Sequence, residues 1–212
     1  MNRLTLAGTA LEHFHICAFF NSRDEEYDVL APFFKEGLEQ GEKTVHIMDP
    51  QRLDEHRRRL QEAGIDTAAC EARGQLHLMT WHDAYLDEGG VFHKERMLRT
   101  VDDLTRGSEE PDGGYRRLRI MGDMNWAFMH TPIDEDLIEY EAEVNEVLAR
   151  NRQPAICVYD VSKLTGEMMI DLLRTHPLTL VGGIVQENPF YTPPTEMLQE
   201  LRQREADGRA AG

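Results

Sequence analysis

The 212-residue chain has no run of about 20 apolar residues, so it has no candidate for a spanning helix. Met1 to Leu11 carries one Arg and no apolar stretch of signal-peptide length, which points to a cytoplasmic protein. Neither a Cys-x-x-Cys pair nor a zinc-knuckle spacing occurs. Its three cysteines, Cys17, Cys70 and Cys157, are scattered and read as free thiols of a reducing compartment. Positive charge is scarce: 23 Lys plus Arg stand against 39 Asp plus Glu, a formal charge of −16. Nucleic-acid binding needs a concentrated basic surface, and that balance argues against it. The one basic cluster, His56-Arg57-Arg58-Arg59, lies in a charged helical stretch and is expected on a solvated face. No Gly-Lys-Ser/Thr loop and no internal repeat is present. The length suits one large domain, expected over residues 13–205, after a short segment 1–12 and before a frayed tail 206–212.

The chain does contain strands. His13 to Phe20 alternates so that His13, His15, Cys17 and Phe19 share one face and Phe14, Ile16, Ala18 and Phe20 the other. Further strands are expected at Thr44–Asp49, Leu76–Trp81, Leu118–Asp123, Pro154–Asp160 and Thr179–Val185. Helical spacing marks the stretch after Arg23 as far as Leu38, where Pro32 is expected to break it, and also Leu53–Ala63, His93–Arg106, Asp134–Asn151, Gly166–Arg174 and Thr195–Leu201. Cys70 falls in a short connection, Trp81 to Phe92 in an ordered loop, Gly107 to Gly114 in a flexible insert. Strands alternating with helices predict an α/β fold with a mainly parallel central sheet flanked by helices on both faces.

Three strands end on acids, Asp49, Asp123 and Asp160, which a parallel sheet gathers along one edge. Such edges take ligands. The turn after Phe20 reads Asn21-Ser22-Arg23-Asp24-Glu25-Glu26, without glycine and with acids that repel a triphosphate, so ATP hydrolysis is not the leading reading.

Several fragments in order, His15-Ile16-Cys17-Ala18-Phe19-Phe20, Pro32-Phe33 with Gly37-Leu38 and Gly41-Glu42, Tyr85-Leu86 with Gly90 and Phe92, and Gly122-Asp123-Met124 with Trp126, begin a pattern. Tyr140-Glu141, Cys157-Val158-Tyr159-Asp160, His176-Pro177 and Asn188-Pro189-Phe190-Tyr191 complete it. Together they resemble the MEDS domain, the methanogen/methylotroph sensory domain. The resemblance implies a RecA/KaiC-like fold without a P-loop and a non-catalytic sensor of small, hydrocarbon-derived ligands. It also implies a signalling partner: a kinase, an anti-sigma-type factor or a regulator. The length leaves no room for an output module, so a stand-alone sensor is expected, with self-association allowed and no cofactor called for.

Under that resemblance the candidate ligand contacts are His15, Cys17, Phe20, Asn21, Asp123, Trp126, Glu141 and Asp160. His15 and Cys17 form the floor of a pocket at the carboxyl edge, Asp123 and Trp126 wall it, and Phe20 and Asn21 lead into its turn. A metal on His13, His15 and Cys17 is disfavoured, because side chains two apart on a strand stand roughly 6–7 Å from one another. The competing readings are a ligand-independent interaction module, a residual nucleotide-binding protein and a thiol-dependent enzyme using Cys17 and His15. The last lacks an acid paired in sequence with the histidine and a recognisable oxyanion loop.

Overall fold

The computed structural model describes residues 4–106, 115, 117–128 and 135–210. A short hairpin of β1 (Thr5–Leu6) and β2 (Thr9–Ala10) tucks Leu4, Leu6 and Leu11 against the main body. The body alternates β3 (His15–Phe20), α1 (Arg23–Glu39), β4 (Lys43–Met48), α2 (Leu53–Glu62), α3 (Thr67–Ala72), β5 (Leu76–Thr80), α4 (Trp81–Ala84) and α5 (Lys94–Arg106). Then come β6 (Leu118–Asp123), α6 (Glu135–Asn151), β7 (Ala155–Asp160), α7 (Gly166–Thr175), β8 (Leu178–Val181), β9 (Ile184–Glu187) and α8 (Pro194–Ala210). The sheet order is β5-β4-β6-β7-β3-β8-β9, parallel throughout except for the antiparallel β9.

Helices cover both faces, so the central strands are apolar on both sides. All six residues of β3 are buried. Ile16, Ala18 and Phe20 pack with Leu30, Phe33 and Phe34 of α1, while Cys17 and Phe19 join the cluster built with α4 to α8. The expected alternation of the first strand is therefore present. The chain leaves β3 through α1 on one face and leaves its neighbour β7 through α7 on the other. Their carboxyl ends thus flank a point where the winding reverses, the place where open α/β sheets form a crevice.

Two glycines mark close approaches rather than turns. A Cβ on Gly37 would stand 2.6 Å from Nε of Arg119, a buried cation that reaches Glu42 at 2.6 Å and stacks 4.2 Å over the Phe33 ring. A Cβ on Gly122 would collide with the Tyr85 hydroxyl. Fragments far apart in the chain, Phe33 with Gly37 and Glu42, Tyr85 with Gly122, are thus partners in packing.

Several expectations are corrected. Pro32 does not break α1, which runs unbroken because Leu30, Ala31, Phe33 and Phe34 bury both flanks of the lost hydrogen bond. The stretch Thr179–Val185 is two strands, reversed at Gly182 and Gly183, both with positive φ, as a tight hairpin requires. Cys70 sits on α3, and Trp81 opens the helix α4 before a turn closed by the Leu86–Phe92 bridge. The last helix begins at Pro194 and continues through Ala210, past the point where fraying was expected. His56 is not on a solvated face but 1% exposed, while Arg57, Arg58 and Arg59 do pair outward with Glu71, Glu62 and Asp24. The insert 107–114 and Asp134 lie outside the described residues.

Candidate functional site

Most of the candidate residues fall into two groups, one at the carboxyl ends of β3 and β7 and one on the α6 side nearer the strand starts. At the carboxyl end, Phe20, Asn21, Ser22, Arg23 and Glu26 face Val158, Tyr159, Asp160 and Ser162 across a cleft of about 130 Å³. Ser22 caps α1 by accepting from the Glu25 amide, and the backbone and side chain of Asn21 both donate to Glu25. Asp160 accepts from the Ser162 amide and hydroxyl. Beside the cleft, Arg23 pairs with the buried Glu26 at 2.7 Å and Arg52 with the buried Asp123 at 3.0 Å. Burial, with Asp123 nearby, raises Glu26 above its ordinary value despite Arg23. Asn125 ties the two strand ends together, donating to Asp123 and accepting from the Asp160 amide. Nη2 of Arg52 is buried without a hydrogen-bond partner.

Of the three strand-end acids, Asp123 is thus a buried ion-pair partner. Asp49 caps the turn at Gln51 and Asp160 the turn at Ser162, the local role that acids at strand ends often take. Trp126 does not wall this cleft. It stacks between Tyr85 at 5.2 Å and Phe92 at 4.8 Å, inside the core beneath α5 and α6.

The second group is at the start of β3, away from the carboxyl edge where the sequence placed His15. There His15 meets Glu141 of α6, Cys157 of β7 and His176 just after α7. All four are buried, and their candidate ligand atoms lie within 4.8 Å of one another. His15 Nε2 stands 3.2 Å from Glu141 Oε2 and 3.3 Å from Cys157 Sγ. Glu141 Oε2 is 3.7 Å from Cys157 Sγ and 3.5 Å from His176 Nε2. The two imidazoles approach with ring centroids 3.9 Å apart. Glu141 Oε1 accepts from the Tyr159 hydroxyl at 2.5 Å.

Burial, with the His15 imidazole beside it, lowers His176 to about 3. Burial alone would raise Glu141, but His176, His15 and Tyr159 outweigh it and hold the carboxyl below its ordinary value. Burial and then the Glu141 carboxylate push the Cys157 thiol well up.

The structure brings His15 and Glu141 together as candidates. Cys17 lies alongside, in register with Cys157, but its sulfur is not among the converging atoms, and His13 is exposed. Cys157 and His176 were missed because nothing in their local sequence separates them from strand and loop residues. Their only signal was membership of the ordered fragments at Cys157-Val158 and His176-Pro177. The neighbouring void, about 10 Å³ between His15, Cys157, Tyr85, Met97 and Tyr140, is at the limit for one water and has no room for an organic ligand.

The MEDS family model, described as the MEthanogen/methylotroph, DcmR Sensory domain, matches residues 14–177. The transcriptional repressor DcmR of Methylorubrum extorquens is 26% identical over 166 residues, which cover 77% of this chain and 58% of the repressor. The chain therefore spans a little over half the length of that relative. A KaiC-like protein from Pyrococcus horikoshii superposes with a TM-score of 0.58 at 14% identity, over 84% of this chain and 80% of that one. The flagellar accessory protein FlaH of Methanocaldococcus jannaschii gives 0.54 at 9% identity, over 86% and 83%. These likenesses establish the RecA/KaiC-like fold. No helix among the described residues is long and apolar enough to cross a membrane.

Proposed function

The chain belongs to the MEDS family of sensory domains, and from that premise we propose that it binds a small polar organic molecule in the cleft between β3 and β7 and passes the change to a partner protein. The observation that carries the reading is the cleft's position. It opens at the winding reversal, between Asn21, Arg23, Asp160 and Ser162, and its volume is about 130 Å³. That is smaller than the roughly 300–1,000 Å³ of pockets for drug-sized ligands and suits a small organic molecule.

The first turn of α1 supports the same reading, because Asp24, Glu25 and Glu26 occupy the helix end where a phosphate would be held. The buried Arg52 Nη2, lacking an acceptor, supplies a donor at the same edge. A ligand there touches the ends of β3 and β7 and the start of α1, so a shift in α1 is the route by which its presence reaches the surface. His15, Cys17 and Glu141 lie outside this cleft and do not touch a ligand held there.

Thermal denaturation of the chain against short alcohols, carboxylic acids and haloalkanes tests this, with ATP and magnesium in parallel. At least one small organic molecule should raise the melting temperature, and Ser162→Leu, which fills the cleft, should abolish the rise. A response confined to ATP with magnesium, no response to any small molecule, or a response undiminished in Ser162→Leu would overturn the reading.

A further inference from the structure

We propose that His15, Glu141, Cys157 and His176 hold one divalent transition-metal ion, of which zinc is the type. This inference does not depend on the cleft reading, since none of the four residues lines the cleft. The first support is spacing. Tetrahedral ligands on bonds of about 2.0–2.3 Å stand about 3.3–3.8 Å apart. Four of the six separations, 3.2, 3.3, 3.5 and 3.7 Å, lie in or next to that range, and all six are within 4.8 Å.

The second support is the direction of the lone pairs. The Asn145 amide nitrogen donates to three carbonyls, Glu141 at 2.9 Å, Ala142 at 3.1 Å and Thr175 at 2.8 Å. Its orientation is thereby fixed, and its oxygen faces His15 Nδ1 at 3.2 Å as an acceptor. The neutral His15 ring therefore has its proton on Nδ1 and a lone pair on Nε2. His176 Nδ1 lies 2.8 Å from the Leu172 carbonyl, so it too donates there and bares Nε2. Both bare nitrogens then face Glu141 Oε2, whose own lone pairs point back, because Oε1 already accepts from Tyr159. His176 Nε2 has no hydrogen-bond partner although the residue is fully buried. The Cys157 thiol can donate to only one of the acceptors that converge here, whereas a cation between them satisfies all at once.

The outer contacts have the form metal sites use: each imidazole is oriented through its second nitrogen by an amide or carbonyl oxygen, and the carboxylate is held by a hydroxyl. The donor set selects the ion. Two imidazoles, a carboxylate and a thiolate suit zinc, cobalt(II) or iron(II), not magnesium or calcium. On binding, the Cys157 S–H bond gives way to a metal–sulfur bond, the proton leaves to solvent, and no electron is transferred. Thiolate and carboxylate together balance a dication, so the filled site buries no net charge.

The test is metal content and cobalt spectroscopy on the full chain. The purified protein should carry one zinc or iron per chain, and after stripping should take up one equivalent of cobalt(II) with tetrahedral visible bands and a near-ultraviolet thiolate band. Cys157→Ser should lose the thiolate band. Cys17→Ala with Cys70→Ala, which leaves Cys157 as the sole thiol, should keep it and guards against a misfolded Cys157 variant. Uptake of no metal, a spectrum without a thiolate band, a Cys157→Ser band like the wild type, or loss of the band in the sole-thiol chain would each overturn the proposal.

Discussion

Two pairs of buried histidines lie on opposite faces of the sheet, and they solve the same problem differently. On the α1 and α2 side, Tyr27, His56 and His46 form a row: Tyr27 OH is 2.7 Å from His56 Nδ1, and His56 Nε2 is 2.7 Å from His46 Nδ1. Each neutral group can donate to the next, so the row is paired from end to end and only the terminal His46 Nε2 lacks a partner. On the α6 and α7 side the donors point outward, to Asn145 and Leu172, and the bare nitrogens converge on a carboxylate and a sulfur. A buried histidine pair is thus no sign of a site by itself. What separates a structural row from a ligand cage is whether the hydrogen bonds can be directed in series.

The largest effect expected is at the centre of the converging group. Glu141→Leu removes the acceptor of Tyr159 and, in the metal-loaded protein, one of the two negative charges that balance the ion, and should cost roughly 3–5 kcal/mol in chemical denaturation, the range for removing one partner of a buried charge pair. Tyr159→Phe should cost about 1.5–3 kcal/mol, because the lost hydrogen bond is made to a charged acceptor. If either change were neutral, the carboxylate would not be the hub that the geometry makes it.

The paired row should reveal itself through pH. Burial, with Arg52 and Arg57 nearby, lowers His56 to about 3, and burial holds His46 well below its ordinary value, with His56 adding to it. In the unfolded chain both take up a proton near pH 6.5. Between about 6.5 and 3 the unfolded state therefore binds more protons, and the stability that is full above 6.5 declines as the pH falls. His56→Gln keeps an amide in the row but cannot titrate. Its plot of unfolding free energy against pH should be shallower than the wild type's by about 1.4 kcal/mol per pH unit in that window. Equal slopes would mean that His56 is protonated in the folded protein.

Strand positions were legible because parallel strands buried on both sides are written as short apolar runs, and Ile156-Cys157-Val158-Tyr159 shows this directly. The carboxyl-edge cleft was legible in part, through the polar turn at Asn21 and the terminal Asp160. Less was readable where long-range packing decides. Pro32 stays helical because of what its neighbours bury, and His56 is drawn inward by Tyr27 and His46 from elements elsewhere in the chain. The tetrad was the least legible. Its members are separated by up to 161 positions, and only the pairing of β3 with β7 and the packing of α6 and α7 bring His15, Glu141, Cys157 and His176 together.

The smallest effect tests the row from its other end. Tyr27→Phe keeps the ring and its contact with Arg59, whose guanidinium lies 4.8 Å from the ring centroid, and deletes only the hydroxyl next to His56. The lost bond joins two neutral groups, so the cost should be about 1 kcal/mol, a fall of about 2–4 °C in melting temperature for a chain of this size. That is about one-third to two-thirds of the loss expected for Tyr159→Phe. Both phenols are buried, Tyr27 at 8% exposure and Tyr159 at 0%, each sits on a histidine-containing cluster, and each loses one hydroxyl, so the main difference is the charge on the group left behind. A Tyr27→Phe penalty equal to that of Tyr159→Phe would show that the charge on Glu141 adds nothing, and the contrast between a row and a cage would then rest on direction alone.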